Sequence, residues 1–230
     1  MGLKNSDDEH FPRVLHQNNK IPANQFSLCM TEEKWTSTDG YHAGFMTLGG
    51  VDTTLHTSPM KYASADDYNV QIRSIYLQPA PINKEGSQKN QARGLNLNTV
   101  RKIQTADSSI SLSHGVDSGT TITYFSSEYE DGFGKEWKSL TGFDFPLDDE
   151  AQIDITDEQL SKLPTVLVQL VGIDGDDGCN SNQSTKTKLA RKLDLESEHC
   201  NDVVISFPSS HYLYKNKNGK YSININFEEL

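Results

Sequence analysis

The sequence predicts a mainly β fold, an open barrel or sandwich carrying few short helices. Short apolar or alternating segments recur along the chain, and Gly, Pro, Asn and Asp cluster between them. Apolar residues recur at helical spacing in only two places.

In chain order, the first element is a short helix over Phe11-Pro-Arg-Val-Leu-His-Gln-Asn-Asn-Lys-Ile21, where Pro12 suits a first-turn position and Pro22 stops continuation. Strands are expected at Phe26–Met30, Gly44–Gly50, Tyr68–Leu77 and Ser109–Ser113, and again at Leu163–Val171, Val203–Phe207 and Tyr221–Phe227. The second helix runs from about Ser126 to Leu140. Phe125, Tyr129, Phe133 and Trp137 fall on one stripe there, a packing face, while Gly132 and Gly134 weaken the helix. Two polar stretches, residues 79–106 and 173–201, read as insertions outside the core. Within the second, Asp174-Gly-Asp-Asp-Gly178 has the start of a calcium loop, but Thr185 stands where such a loop needs glutamate, so an acidic turn and no metal is expected.

A formal net charge of -11 over 230 residues argues against a nucleic-acid partner, since phosphate binding needs a basic surface. The densest basic run, Lys186, Lys188, Arg191 and Lys192, is offset by Asp194, Glu196 and Glu198. No apolar run approaches the length of a membrane helix, and the residues from Met1 to Glu9 lack the apolar region of a signal peptide. Cys179 and Cys200 flank the second polar stretch, so a disulfide there would tie its base. Cys29 is then left unpaired within the chain, or stands as a buried thiol beside Phe26 and Leu28. Asn182-Gln-Ser is a candidate glycosylation acceptor.

The segment richest in chemistry is Gly115-Val-Asp-Ser-Gly-Thr-Thr-Ile-Thr-Tyr-Phe125. An aspartate preceded by an apolar residue and followed by Ser118 and Gly119 places a carboxylate on a tight turn leaving a strand. Gly119 lets the chain turn and leaves its backbone open to a peptide. Ser118 can bond across to a backbone group, and Thr120 can donate its hydroxyl to Asp117. The Asp-Ser-Gly triplet alone is an ordinary turn former.

The longer segment resembles the second active-site motif of pepsin-like aspartic endopeptidases, apolar-Asp-Ser/Thr-Gly-Thr/Ser-Thr. Other landmarks follow in the family's order. Met1-Gly-Leu3 resembles the end of a segment near the lobe boundary, Phe11–Ile21 the helix after it, and Phe26-Ser-Leu-Cys29 the strand entering the second lobe. Met46-Thr-Leu-Gly-Gly-Val-Asp-Thr-Thr-Leu-His-Thr57, Leu163-Pro-Thr-Val166 and Ser210-His-Tyr-Leu213 are similar to later ones.

The resemblance implies residues 1–25 as a remnant of the amino-terminal lobe with the interlobe helix, and 26–230 as the carboxyl-terminal catalytic lobe. It implies Asp117 as one of two catalytic aspartates, Ser118 and Thr120 as its support, and Gly119, Thr120 and Thr121 against the substrate. The implied partners are a peptide or protein substrate and an amino-terminal lobe, with no cofactor, in a secretory or a vacuolar or lysosomal type of compartment. No second Asp-Thr/Ser-Gly-Thr/Ser is present, and the family's closing apolar-apolar-Gly strand has no counterpart, so the chain is expected to be a lobe lacking both ends and inactive alone. Two alternatives stay open: a pepsin-like binding module without catalysis, and a homodimer in which two copies of Asp117 form the dyad.

Overall fold

The computed structural model describes residues 10–37, 40–55, 60–66, 68–80, 100–105, 112–118, 120, 122–147, 152–173, 199 and 201–229. The chain is mainly β and divides into two compact units, Met1–Lys61 and Tyr62–Leu230.

In the first unit, α1 (Phe11–Gln17) begins with Pro12, whose missing N–H is harmless in a first turn. It ends at Asn18, whose side chain donates to the Val14 carbonyl at 2.8 Å. Strands β1 (Phe26–Ser37) and β2 (Gly40–Leu48) form an antiparallel ribbon from Phe26↔Leu48 to Ser37↔Gly40, with a register shift between Met30 and Trp35. Gly44, at φ 148°, passes so close to the Cys29 carbonyl that a Cβ would lie 2.0 Å from its oxygen, which excludes any other residue.

The second unit is built on β4 (Asn69–Gln78). Strands β3 (Ala65–Asp66) and β6 (Leu112–Gly115) pair with its start, β5 (Arg101–Lys102) with its end, and β8 (Thr165–Leu170) with most of its length. β9 (Val203–Phe207) pairs with β8, and the resulting six-stranded sheet curls into a half-barrel. β7 (Thr123–Ser126) stands apart, paired in parallel with β12 (Ile225–Glu228). A hairpin of β10 (Leu213–Lys215) and β11 (Tyr221–Ile223) precedes β12.

β4 and β8 are covered on both sides. Ile72, Ile75, Leu77, Val166, Val168 and Leu170 face the main core, whereas Tyr76 and Leu167 join Val100 on the other side. Val100 and Ile103 belong to the end of a stretch expected to be a polar insertion; they are buried because residues 101–102 extend the sheet.

The aromatic stripe read as one helix crosses three elements. Phe125 lies in β7, Tyr129 in a single 3-10 turn (Ser127–Tyr129), and Phe133 and Trp137 in α2 (Glu130–Thr141). Ser126 starts the turn by accepting from Glu128 N at 3.3 Å, and Gly142 ends α2 in the left-handed conformation that favours glycine. Gly132 has a packing reason: a Cβ there would lie 2.2 Å from the Gln104 carbonyl oxygen. Phe133 and Trp137 are fully buried among Phe145, Phe227 and Tyr212. Such rings each contribute roughly 1.5–3 kcal/mol through burial.

Two helices had no counterpart in the sequence reading. α3 (Asp157–Lys162) starts in a reciprocal cap in which Gln159 N donates to Thr156 Oγ1 and Thr156 N donates to Gln159 Oε1. α4 (Ser209–Tyr212) buries Tyr212, whose hydroxyl donates to the Pro164 carbonyl at 2.6 Å.

Burial pushes the Tyr129 phenol from its ordinary 10.0 up to about 12, and raises Tyr212 as well. The folded state thus favours the neutral phenol, and the unfolded chain ionises first. Stability should hold below pH 10.0 and fall as the pH climbs toward about 12. Denaturant titrations across that window check this, and an unchanged midpoint would contradict it.

Candidate active site

β6 ends at Gly115, and the chain runs on through Val116 and Asp117 into a turn at Ser118. Its exit from the sheet is fixed by neighbours. β6 pairs with β4 from Ile72↔Leu112 to Asn69↔Gly115, and Val116 N donates to the Tyr68 carbonyl at 2.9 Å. Tyr68 adopts φ 67°, an uncommon value for a bulky side chain, where the chain turns from β3 into β4.

Asp117 is exposed. Thr120 Oγ1 donates to its Oδ2 at 2.6 Å, a length typical of a hydroxyl held by a carboxylate. That bond closes the turn across Ser118 and sets the carboxylate's orientation. Ser118 and Thr120 are exposed beside it. The predicted residues Asp117, Ser118 and Thr120 therefore share one turn, whereas Gly119 and Thr121 lie outside the described residues. So do Cys179, Cys200 and Asn182, the acidic turn at 174–178, and residues 1–9.

Behind this turn stands a residue the sequence reading did not single out. His114, buried in β6, accepts a hydrogen bond from Ser126 N through Nε2 at 3.3 Å, which assigns the ring proton to Nδ1. Its ring lies 6.3 Å from Phe125 and 6.5 Å from Tyr129. On the far side of the turn, Thr123 N donates to the Asn224 carbonyl at 3.0 Å as β7 enters its pairing with β12. Both ends of the loop are thus tied to the core that holds α2.

No protein-family model and no curated protein matches the chain. Chemical reading of the site therefore rests on its geometry. Among the described residues, no three His, Cys, Asp or Glu side chains converge as a metal site, and no helix is long and apolar enough to cross a membrane. An exposed carboxylate oriented on a firmly anchored turn can take a proton from water or give one to a reacting oxygen. One carboxylate cannot do both in the same step.

Proposed function

We propose that this chain is the carboxyl-terminal lobe of a pepsin-like aspartic endopeptidase in which Asp117 is one of two catalytic aspartates. The observation that carries the reading is the Thr120-to-Asp117 hydrogen bond on an exposed turn whose two ends are anchored in the core. The order Val116-Asp117-Ser118-Gly119-Thr120-Thr121 supports it.

In this mechanism a second carboxylate, supplied by an amino-terminal lobe, shares a proton with Asp117, because like charges so close cannot both ionise cheaply; the handling of such a pair is best known from pepsin. The ionised member removes a proton from water, and the water oxygen attacks the scissile carbonyl carbon. The protonated member hydrogen-bonds the developing oxyanion. A proton then passes to the departing amine, and the C–N bond breaks with no covalent enzyme intermediate. Thr120 orients the carboxylate, and the resemblance assigns Ser118 to its support and Gly119, Thr120 and Thr121 to the substrate. The substrate is a peptide or protein, and the compartment is secretory or vacuolar.

Expressed together with the amino-terminal lobe this reading requires, the chain should cleave an unfolded protein at acidic pH. An inhibitor carrying a hydroxyl in place of the scissile carbonyl should stop the reaction. Cleavage that ignores the inhibitor would overturn the proposal, and peptide binding without cleavage at any pH would identify a non-catalytic binding module instead.

A further inference from the structure

We propose that the β10–β11 hairpin is a substrate-selecting element that favours acidic peptides at the Asp117 turn, an inference that rests on the endopeptidase reading. The first observation is charge. From Val203 to Phe227 the chain carries three lysines, Lys215, Lys217 and Lys220, and no Asp or Glu, although the whole chain has a net charge of -11. All three are exposed on the hairpin. The Lys220 ammonium lies 3.8 Å from Asp154 Oδ2, a carboxylate that is itself largely exposed.

The second observation is placement. β7 and β12 are parallel, with Thr123 paired to Ile225. The segment carrying Asp117 leads into β7, and the hairpin leads through Asn224 into β12, so both enter this pair of strands from the same end. The Asp117 segment and the hairpin both extend beyond that end of the ladder, and an extended peptide running from Asp117 across it would reach the lysines, where a carboxylate is attracted and a neutral side chain is not.

The third observation is rigidity, since a charged element selects only if it holds its shape. Asn216 Oδ1 accepts from Asn218 N at 2.9 Å and from Lys220 N at 3.0 Å. Asn216 N also donates to the Lys220 carbonyl at 2.8 Å, and Gly219 supplies the left-handed residue at φ 83°. The Lys215 ammonium lies over the Tyr221 ring, 5.1 Å from its centroid. At the turn end of the hairpin, where Tyr221 pairs with Lys215, Ile153 bridges to Tyr221 through paired backbone hydrogen bonds of 2.8 and 3.0 Å.

The test uses the chain with its amino-terminal lobe and two fluorescein-labelled peptides, one rich in Glu and its Gln counterpart, followed by anisotropy at low and high salt. The Glu peptide should bind roughly ten-fold more tightly at low salt, and the preference should shrink at high salt. The triple variant Lys215→Gln, Lys217→Gln, Lys220→Gln should abolish it while the chain stays folded by circular dichroism, and the three Lys→Arg changes should retain it. Absence of the preference in the unmodified chain, or its survival in the Gln variant, overturns the inference. Binding of phosphatidylserine vesicles without any peptide preference would assign the lysines to a membrane surface and overturn it equally. Cleavage of the two peptides, followed in the same samples, separates the two readings. Equal cleavage and equal binding sink the hairpin's role alone, whereas a Glu preference in binding with no cleavage sinks the endopeptidase reading and leaves the hairpin's selectivity standing.

Discussion

Replacing Asp117 by Asn in the proposed two-lobed enzyme should lower kcat by about 100- to 10,000-fold while leaving the melting temperature where it was. The two halves of that expectation have separate causes. Asn keeps the shape of the side chain and can still accept the Thr120 hydroxyl, so the turn loses little. Asp117 is exposed, so no packing is removed either. What disappears is the ability to take up and release a proton during attack on the carbonyl. Thr120→Val should fall between the extremes, at roughly ten-fold, because the carboxylate remains while the hydroxyl that orients it is lost. Thr120→Ser should restore most of the rate. A single-turnover assay with circular dichroism on the same samples checks all three, and a fully active Asp117→Asn enzyme would remove Asp117 from the mechanism.

Asp202→Ala should destabilise the second unit by about 3 kcal/mol, with an unchanged m-value in urea. The Asp202 carboxylate is 3% exposed and gathers donors from three directions. Arg73 donates through Nε at 2.5 Å and Nη2 at 3.3 Å, Gln169 through Nε2 at 2.7 Å, and Gly172 through its backbone N at 3.1 Å. Gln169 in turn accepts from the Tyr76 hydroxyl at 2.8 Å. Truncation leaves a guanidinium, a buried amide and a backbone N–H without this acceptor. Arg73 is 32% exposed and can turn toward water, which keeps the loss at the lower end of the range for a broken buried pair. The network also joins Gly172 to Asp202, the two sides of the long polar stretch between β8 and β9. Added protease should therefore cut that stretch faster in the variant. An Asp202→Ala protein as stable as the parent would show that the network is replaceable by solvent.

What could be read from sequence was local, and what could not was long-range. β9 lies where composition put it, because five β-rich residues are bounded by Asp202 and Pro208. The aromatic spacing correctly marked a buried face, yet it merged a strand end, a 3-10 turn and a helix, since each element contributes only one or two of the four rings, too few to show its own period. α3 is too short to show an apolar period, although Thr156 and Gln159 carry the spacing of a capping box that would have revealed its start. At the site, the order of residues was enough to bring Asp117 and Thr120 together. His114 and Tyr68 were not legible, because one acts through Ser126 and the other through Val116, and neither pairing has a local signature. Arg73 and Asp202 stand 129 positions apart, beyond the reach of any periodicity.

The parallel pairing of β7 with β12 also sets a timetable. β7 begins at Thr123 and its partner at Ile225, so during synthesis the Asp117 turn emerges long before the strand that holds its far side exists. Pairings this distant in the chain form late and slowly, after local elements such as α2 have had time to collect. While the residues between Asp117 and Ile225 are being made, the nascent polypeptide therefore carries the aspartate without the strand that holds the far end of its loop. The Asp117 loop is held at both ends only once β12 has docked, which makes the orientation of this carboxylate one of the last features of the second unit to form.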